Sequence, residues 1–228
     1  MKVAVLGTGM VGQAIAGKLA ELGHQVVVGT RDPEATMART EPDYLGNPPF
    51  PVWNEAHPGV GLAATAEATA RAELVVNATN GAGSLAMLEA AGAENLAGKV
   101  LIDVANPLDV SQGLPPSLFI CNTDSLGEQI QRAFPEAKVV KALNTMNCQV
   151  MVDPSRVPGE HDVFLCGEDD GAKRQVGELL QSFGWAADRI RDLGGISSAR
   201  GMEMYVAFWV RLWPTLGTGY FNIAVVRA

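Results

Sequence analysis

The chain has 228 residues, 47% hydrophobic and 18% charged, which supplies a buried core and leaves too little charge for a disordered segment. Its formal net charge of −8 excludes a general nucleic-acid binder, which needs a basic face. Cys121, Cys148 and Cys166 form no C-x-x-C pair, and His24, His57 and His161 are scattered, so reduced thiols, no protein-bound metal and a cytoplasmic setting are expected.

"KVAVLG" at the N-terminus is a short apolar run of the kind that forms a fully buried strand. Glycines at 7, 9 and 12 and Gln13 dilute it too much for a secretory signal. "MVGQAIAGKLAELG" follows, with Val11, Ile15, Leu19 and Leu22 at helical spacing and Gly23 to close it. "HQVVVG" is a second strand, and Asp32-Pro33 reads as an N-cap with proline at the first helical position. This βαβα opening predicts an α/β fold with a doubly wound, mainly parallel sheet.

Residues 41–58 break the rhythm with Pro42, Pro48, Pro49, Pro51 and Pro58. Further strands are predicted at 60–64, 73–79, 99–105, 138–143 and 162–167, with helices over 83–91, 124–134 and 169–183. The stretch 186–194 reads as a last short strand or a loop. After residue 195 the pattern is helix only: Met202, Val206, Trp209 and Trp213 form an apolar stripe, and Pro214 is expected to stop the run. Glu203 and Arg211 interrupt this stretch, which is too short to span a bilayer, so no membrane association is expected. Its aromatic residues, Tyr205, Phe208, Trp209, Trp213, Tyr220 and Phe221, suit a subunit contact.

Gly7-Thr8-Gly9-Met10-Val11-Gly12 matches G-x-G-x-x-G between a predicted strand and a predicted helix, the context of a dinucleotide-binding turn. The helix N-terminus would offer free N–H groups and positive dipole to a pyrophosphate. In the NAD version an acid about 20 residues on binds the ribose hydroxyls. Here that place holds Thr30 and Arg31. A hydroxyl donor and a guanidinium fork suit a 2′-phosphate, so the cofactor reads as NADP. The proline segment is then either a stiffened surface connection or a flap over the adenosine end.

In open α/β sheets ligands sit beyond the carboxyl ends of the strands. The segments there, 77–83, 105–109 and 143–147, carry Asn77, Thr79, Asn80, Asn106, Asn144, Thr145 and Asn147. Uncharged hydrogen-bonders suit a neutral ring such as nicotinamide. No Lys, His or Tyr in these segments is placed as an acid or base for a carbonyl; Lys141 lies inside the preceding strand. Such a site suits hydride transfer between two juxtaposed rings.

Four blocks in this order, "VAVLGTGMVGQAIAGKLAELGHQVVVGTRDP", "KVVKALNTM", "DVFLCGEDDGAKRQV" and "RDLGGISSARGME", resemble the NADPH-dependent F420 reductases and, more distantly, the cytosolic domain of the six-transmembrane ferric reductases. The resemblance implies a Rossmann domain over 1–195, a helical appendage over 196–228 in the same structural unit, and a homodimer. It places Gly7 to Gly12 at the pyrophosphate and Thr30-Arg31 at the 2′-phosphate. Thr79-Asn80, Ala105 with Asn106 and Pro107, and Asn144 with Thr145-Met146 would line the nicotinamide. Gly194-Gly195-Ile196 would close the far side of a deazaflavin pocket. The chain departs from the family at Thr79-Asn80-Gly81, in place of an Ile-Pro-Trp-type sequence, and at Asn144, in place of His. The second cofactor is therefore expected to be F420, with flavin, a small carbonyl or imine, or a non-catalytic NADPH sensor as alternatives.

Overall fold

A computed structural model of the chain describes residues 1–43 and 46–228. The predicted opening is present as β1 (Lys2–Leu6), α1 (Met10–Glu21), β2 (Gln25–Thr30) and α2 (Pro33–Met37). Asp32 caps α2 by accepting a hydrogen bond from Ala35 N at 2.9 Å. Then come α3 (Phe50–Glu55), β3 (Gly61–Ala64), α4 (Thr65–Arg71), β4 (Leu74–Asn77), α5 (Ser84–Ala91), α6 (Ala93–Leu96) and β5 (Val100–Asp103). A two-residue ribbon follows, β6 (Leu108–Asp109) against β7 (Ser117–Leu118), which the sequence pattern had not suggested. The remainder is α7 (Leu126–Ala133), β8 (Lys138–Ala142), α8 (Cys148–Val152), β9 (Val163–Gly167), α9 (Asp170–Ser182), β10 (Ile190–Asp192) and α10 (Ala199–Leu216).

The eight-stranded sheet has the order β10-β9-β8-β5-β4-β1-β2-β3. From β3 to β8 all neighbours are parallel, while β9 runs antiparallel to β8 and carries β10 parallel to itself. The chain leaves β1 in one direction and returns to β4 on its other side. The crevice between β1 and β4 is thus the switch point at which α/β sheets bind nucleotides. This is the doubly wound, Rossmann-type architecture.

Alternation along the strands sorts the core into two faces. Val3, Val5, Val76 and Val140 pack under α1, α8 and α9. Ala4, Leu6, Val75 and Leu101 pack under α4 to α7 and the start of α10. Each fully buried aliphatic side chain contributes about 1.5–3 kcal/mol, so the sheet is fixed from both sides.

Three expectations change. Pro214 does not stop the last helix: α10 continues to Leu216, and Gly217 at φ 67° ends it. Pro214 forgoes the hydrogen bond that an N–H there would give to Val210 O, and the helix runs only two residues beyond it. Residues 217–228 are not helical but strap the start of β9: Asp162 N donates to Ile223 O at 2.9 Å, and Val225 N donates to Asp162 Oδ2 at 2.6 Å. The proline segment, of which residues 44–45 lie outside the described residues, contributes α3. Phe50 enters the core at 1% exposure, and the stacked rings of Trp53 and His57 lie against Gly17. Gly17 is eight residues along α1 from Gly9, roughly 12 Å at 1.5 Å per residue. α3 therefore buttresses the far half of α1.

Candidate active site

The glycine turn takes the shape its spacing requires. Gly7 has φ 124°, and a Cβ there would meet Ala78 O at 2.5 Å, so the loops after β1 and β4 touch. A Cβ at Gly12 would meet Gly7 O at 2.1 Å, which sets how closely α1 lies on its own turn. At Gly9 a Cβ would meet nothing within 4 Å. That open face, beside the first N–H groups of α1 at Met10 and Val11, is where phosphates fit. No acidic residue lies in the first turn of α1, and Gln13 Nε2 holds Thr8 O at 3.0 Å.

At the end of β2 the two expected residues part company. Thr30 is buried at 5% exposure and its Oγ1 is hydrogen-bonded to Thr36 Oγ1 at 2.9 Å. Side chains alternate along a strand, and α2 supplies the partner. Arg31 is exposed. A second cation, Arg39, reaches back from beyond α2 and donates from Nη1 to Thr8 Oγ1 at 3.2 Å. Arg39 lies in an irregular stretch, and nothing in its spacing had marked it.

The other segments meet along one edge because β1, β4, β5 and β8 are parallel neighbours. Thr79 is half-buried and Asn80 exposed; Ala105, Pro107, Asn144, Thr145 and Met146 are buried. A Cβ at Gly81 would strike Asn106 O at 2.0 Å, so the loops after β4 and β5 are in contact. Asn106 and Asn144 tie the next pair: Asn106 Nδ2 donates to Asn144 O, and Asn144 Nδ2 to Asn106 Oδ1, both at 2.8 Å. Asn144 Nδ2 also donates to Met202 O of α10 at 3.1 Å, and its Oδ1 has no partner among the described residues. The residue before it, Leu143, is held at φ 65°, a strained position for a bulky side chain that the packed surroundings must impose.

Gly195 and Ile196 do not join this edge. The reversal of β9 sends the turn after β10 toward the end of the sheet where β8 begins. Gly194 O accepts from Gly167 N, and Glu168 Oε1 accepts from Ile196 N at 3.0 Å. Ile196 is buried against Gly127 and opens on a separate cavity of about 780 Å³ lined by Lys138, Glu168 and Asp169.

Beneath the edge lies a polar network that motif reading had missed. Asn77, Asp103 and Lys141 occupy one register row across β4, β5 and β8, and all three are fully buried. Lys141 Nζ lies 2.8 Å from Asp103 Oδ2 and 2.8 Å from Glu203 Oε1 of α10, and it donates to Ala105 O. Asp103 Oδ1 accepts from Asn77 Nδ2 at 2.8 Å and from Ala105 N at 3.2 Å. Asn77 Oδ1 accepts from Thr79 Oγ1 at 2.6 Å, and its amide donates to Ser84 Oγ at 3.1 Å. Glu203 accepts from Leu126 N and Gly127 N at 2.8 and 3.0 Å. Burial pulls Lys141 toward the neutral amine, but Asp103 and Glu203 more than offset that and hold its pKa above the ordinary lysine value. The available signal was a polar residue at the same height in three apolar strands.

Comparison with known proteins gives the family. A family model described as coenzyme F420-dependent NADP oxidoreductase matches residues 2–107. The crystal structure of a proposed F420-dependent NADP reductase from Arthrobacter sp. FB24 superposes with a TM-score of 0.93 at 59% identity, covering all of both chains. The chain belongs to the F420-dependent NADP reductase family. It is also similar to the F420-dependent NADP reductase of Methanothermobacter marburgensis, 27% identical over 93% of this chain and 92% of that protein. The metalloreductase STEAP3 of Rattus norvegicus is 29% identical over 94% of this chain, which spans only 37% of that longer protein. Membership makes the chain an NADP-dependent oxidoreductase of Rossmann fold. Among the described residues no helix is long and apolar enough to cross a membrane.

Proposed function

We propose that this oxidoreductase transfers a hydride between NADP(H) and coenzyme F420, with no catalytic acid or base of its own. One observation carries the reading: four adjacent strand ends form a continuous edge of uncharged groups, while Lys141, Asp103 and Glu203 are sealed beneath it. In the balanced reaction, NADPH gives a hydride, and the oxidised deazaflavin takes it with one solvent proton. The chain's part is to bind, orient and exclude water.

Gly7, Thr8, Gly9, Met10, Val11 and Gly12 would hold the pyrophosphate, with Arg31 and Arg39 toward the phosphates. Thr79, Asn80, Ala105, Asn106, Pro107, Asn144, Thr145 and Met146 would wall the ring end. Residues 1–195 serve as the NADP-binding unit. Residues 196–228 serve as its appendage, with the exposed Phe208, Trp213, Leu216 and Tyr220 as the surface for a second copy in a homodimer. Light scattering on a size-exclusion column tests that assembly.

The function is tested by following NADPH oxidation with F420 and, separately, with FMN and FAD. Turnover with F420 alone supports the reading. Turnover with flavin alone, or with none of them, rejects F420 as the acceptor.

A further inference from the structure

We propose that Lys141 is a positioning residue for the nicotinamide end of the cofactor, acting through the Ala105 backbone. The inference rests on the NADP reading and is independent of which acceptor takes the hydride.

Stability alone gives no reason for the Asp103–Lys141–Glu203 group. Buried ion pairs are commonly replaced by apolar side chains without loss of stability. What sets this group apart is where its remaining hydrogen bonds go. Asp103 takes Ala105 N, and Lys141 takes Ala105 O, so both polar groups of one residue at the crevice are fixed from below. Through Asn77 the same group holds the Thr79 hydroxyl. Through Glu203 it holds the first N–H groups of α7 and locks α10 to the sheet. The loops after β4 and β5 are therefore indexed to one ammonium group, and each loop faces the edge where the ring would lie. A crevice that relies on juxtaposition is sensitive to this: a misplacement of about 1 Å costs on the order of 100-fold in rate.

Lys141→Met alone would leave two buried carboxylates without a counter-charge and is expected to fold poorly. Two variants avoid that. Asp103→Asn/Lys141→Met/Glu203→Gln keeps the shapes and removes the charges. Asp103→Asn/Lys141→Gln/Glu203→Gln also removes all three charges and keeps a hydrogen-bonding side chain at position 141. Each is checked for folding by thermal melt and then titrated with 2′,5′-ADP, which occupies only the adenosine half, and with NADPH, whose nicotinamide fluorescence reports its surroundings.

The expected result is an unchanged 2′,5′-ADP affinity, loss of most of the bound-NADPH fluorescence change, and a 10- to 100-fold lower kcat with any acceptor the parent enzyme uses. Parent-like NADPH fluorescence and kcat in a folded variant would overturn the proposal, as would failure of both variants to fold, which would make the group a folding element. If the parent protein itself binds no NADPH, the NADP reading fails, and that outcome is distinct from either.

Discussion

A guanidinium opposite a 2′-phosphate makes charge-assisted hydrogen bonds, and losing one such bond costs about 1.5–3 kcal/mol. Arg31→Ala should therefore weaken NADPH binding by roughly 10- to 150-fold on that scale and leave NADH nearly unchanged; calorimetric titration with both nucleotides checks it. Arg39 instead grips Thr8 within the glycine turn. Arg39→Ala should weaken both nucleotides alike, by a few-fold, on the order of 0.5–1 kcal/mol for an exposed charge. The contrast also shows which parts of the site were legible. Gly7, Gly9 and Gly12 belong to one contiguous unit whose turn geometry depends on spacing. The bond from Thr30 to Thr36 was not legible, because its partner lies on the next helix. Lys141 was passed over because its partners, Asp103 and Glu203, lie 38 residues before it and 62 after it, and only strand register brings them together.

Element by element, the pattern exposed β1 to β5, β8 and β9, because a buried strand is a compact apolar run, and it left the short, partly exposed β10 open between strand and loop. It could not give the direction of β9, since "VFLCG" reads alike either way. Residues 143–162 join β8 to β9, and their longest helix is the five-residue α8, so the connection lacks the long crossover helix usual between parallel strands. In α3, proline stiffens the approach, and Phe50 supplies the anchor. Phe50→Ala should cost about 3–5 kcal/mol, read as a lowered urea midpoint, with NADPH affinity in the folded protein retained because α3 packs against the far half of α1.

For the molecule as a whole, the thiols report how tightly the two faces close. Cys166 is buried beneath α10, and burial pushes its thiol up to about 12; burial also raises that of Cys148. Both stay protonated and shielded at pH 8, whereas Cys121 is exposed. A disulfide reagent should titrate one thiol in the native protein and three after denaturation; rapid reaction of Cys166 would mean that the α10 side opens, and rapid reaction of Cys148 that α8 lifts from the other face. The strap over β9 also has a consequence for how the protein is made. Asp162 is synthesised 63 residues before Val225, a lag of roughly 3–13 seconds at 5–20 residues per second. Every group assigned to the nucleotide lies before residue 147, so a growing polypeptide could capture its dinucleotide before the far border of the sheet has set, and the cofactor would then act as a template on which the last strands assemble.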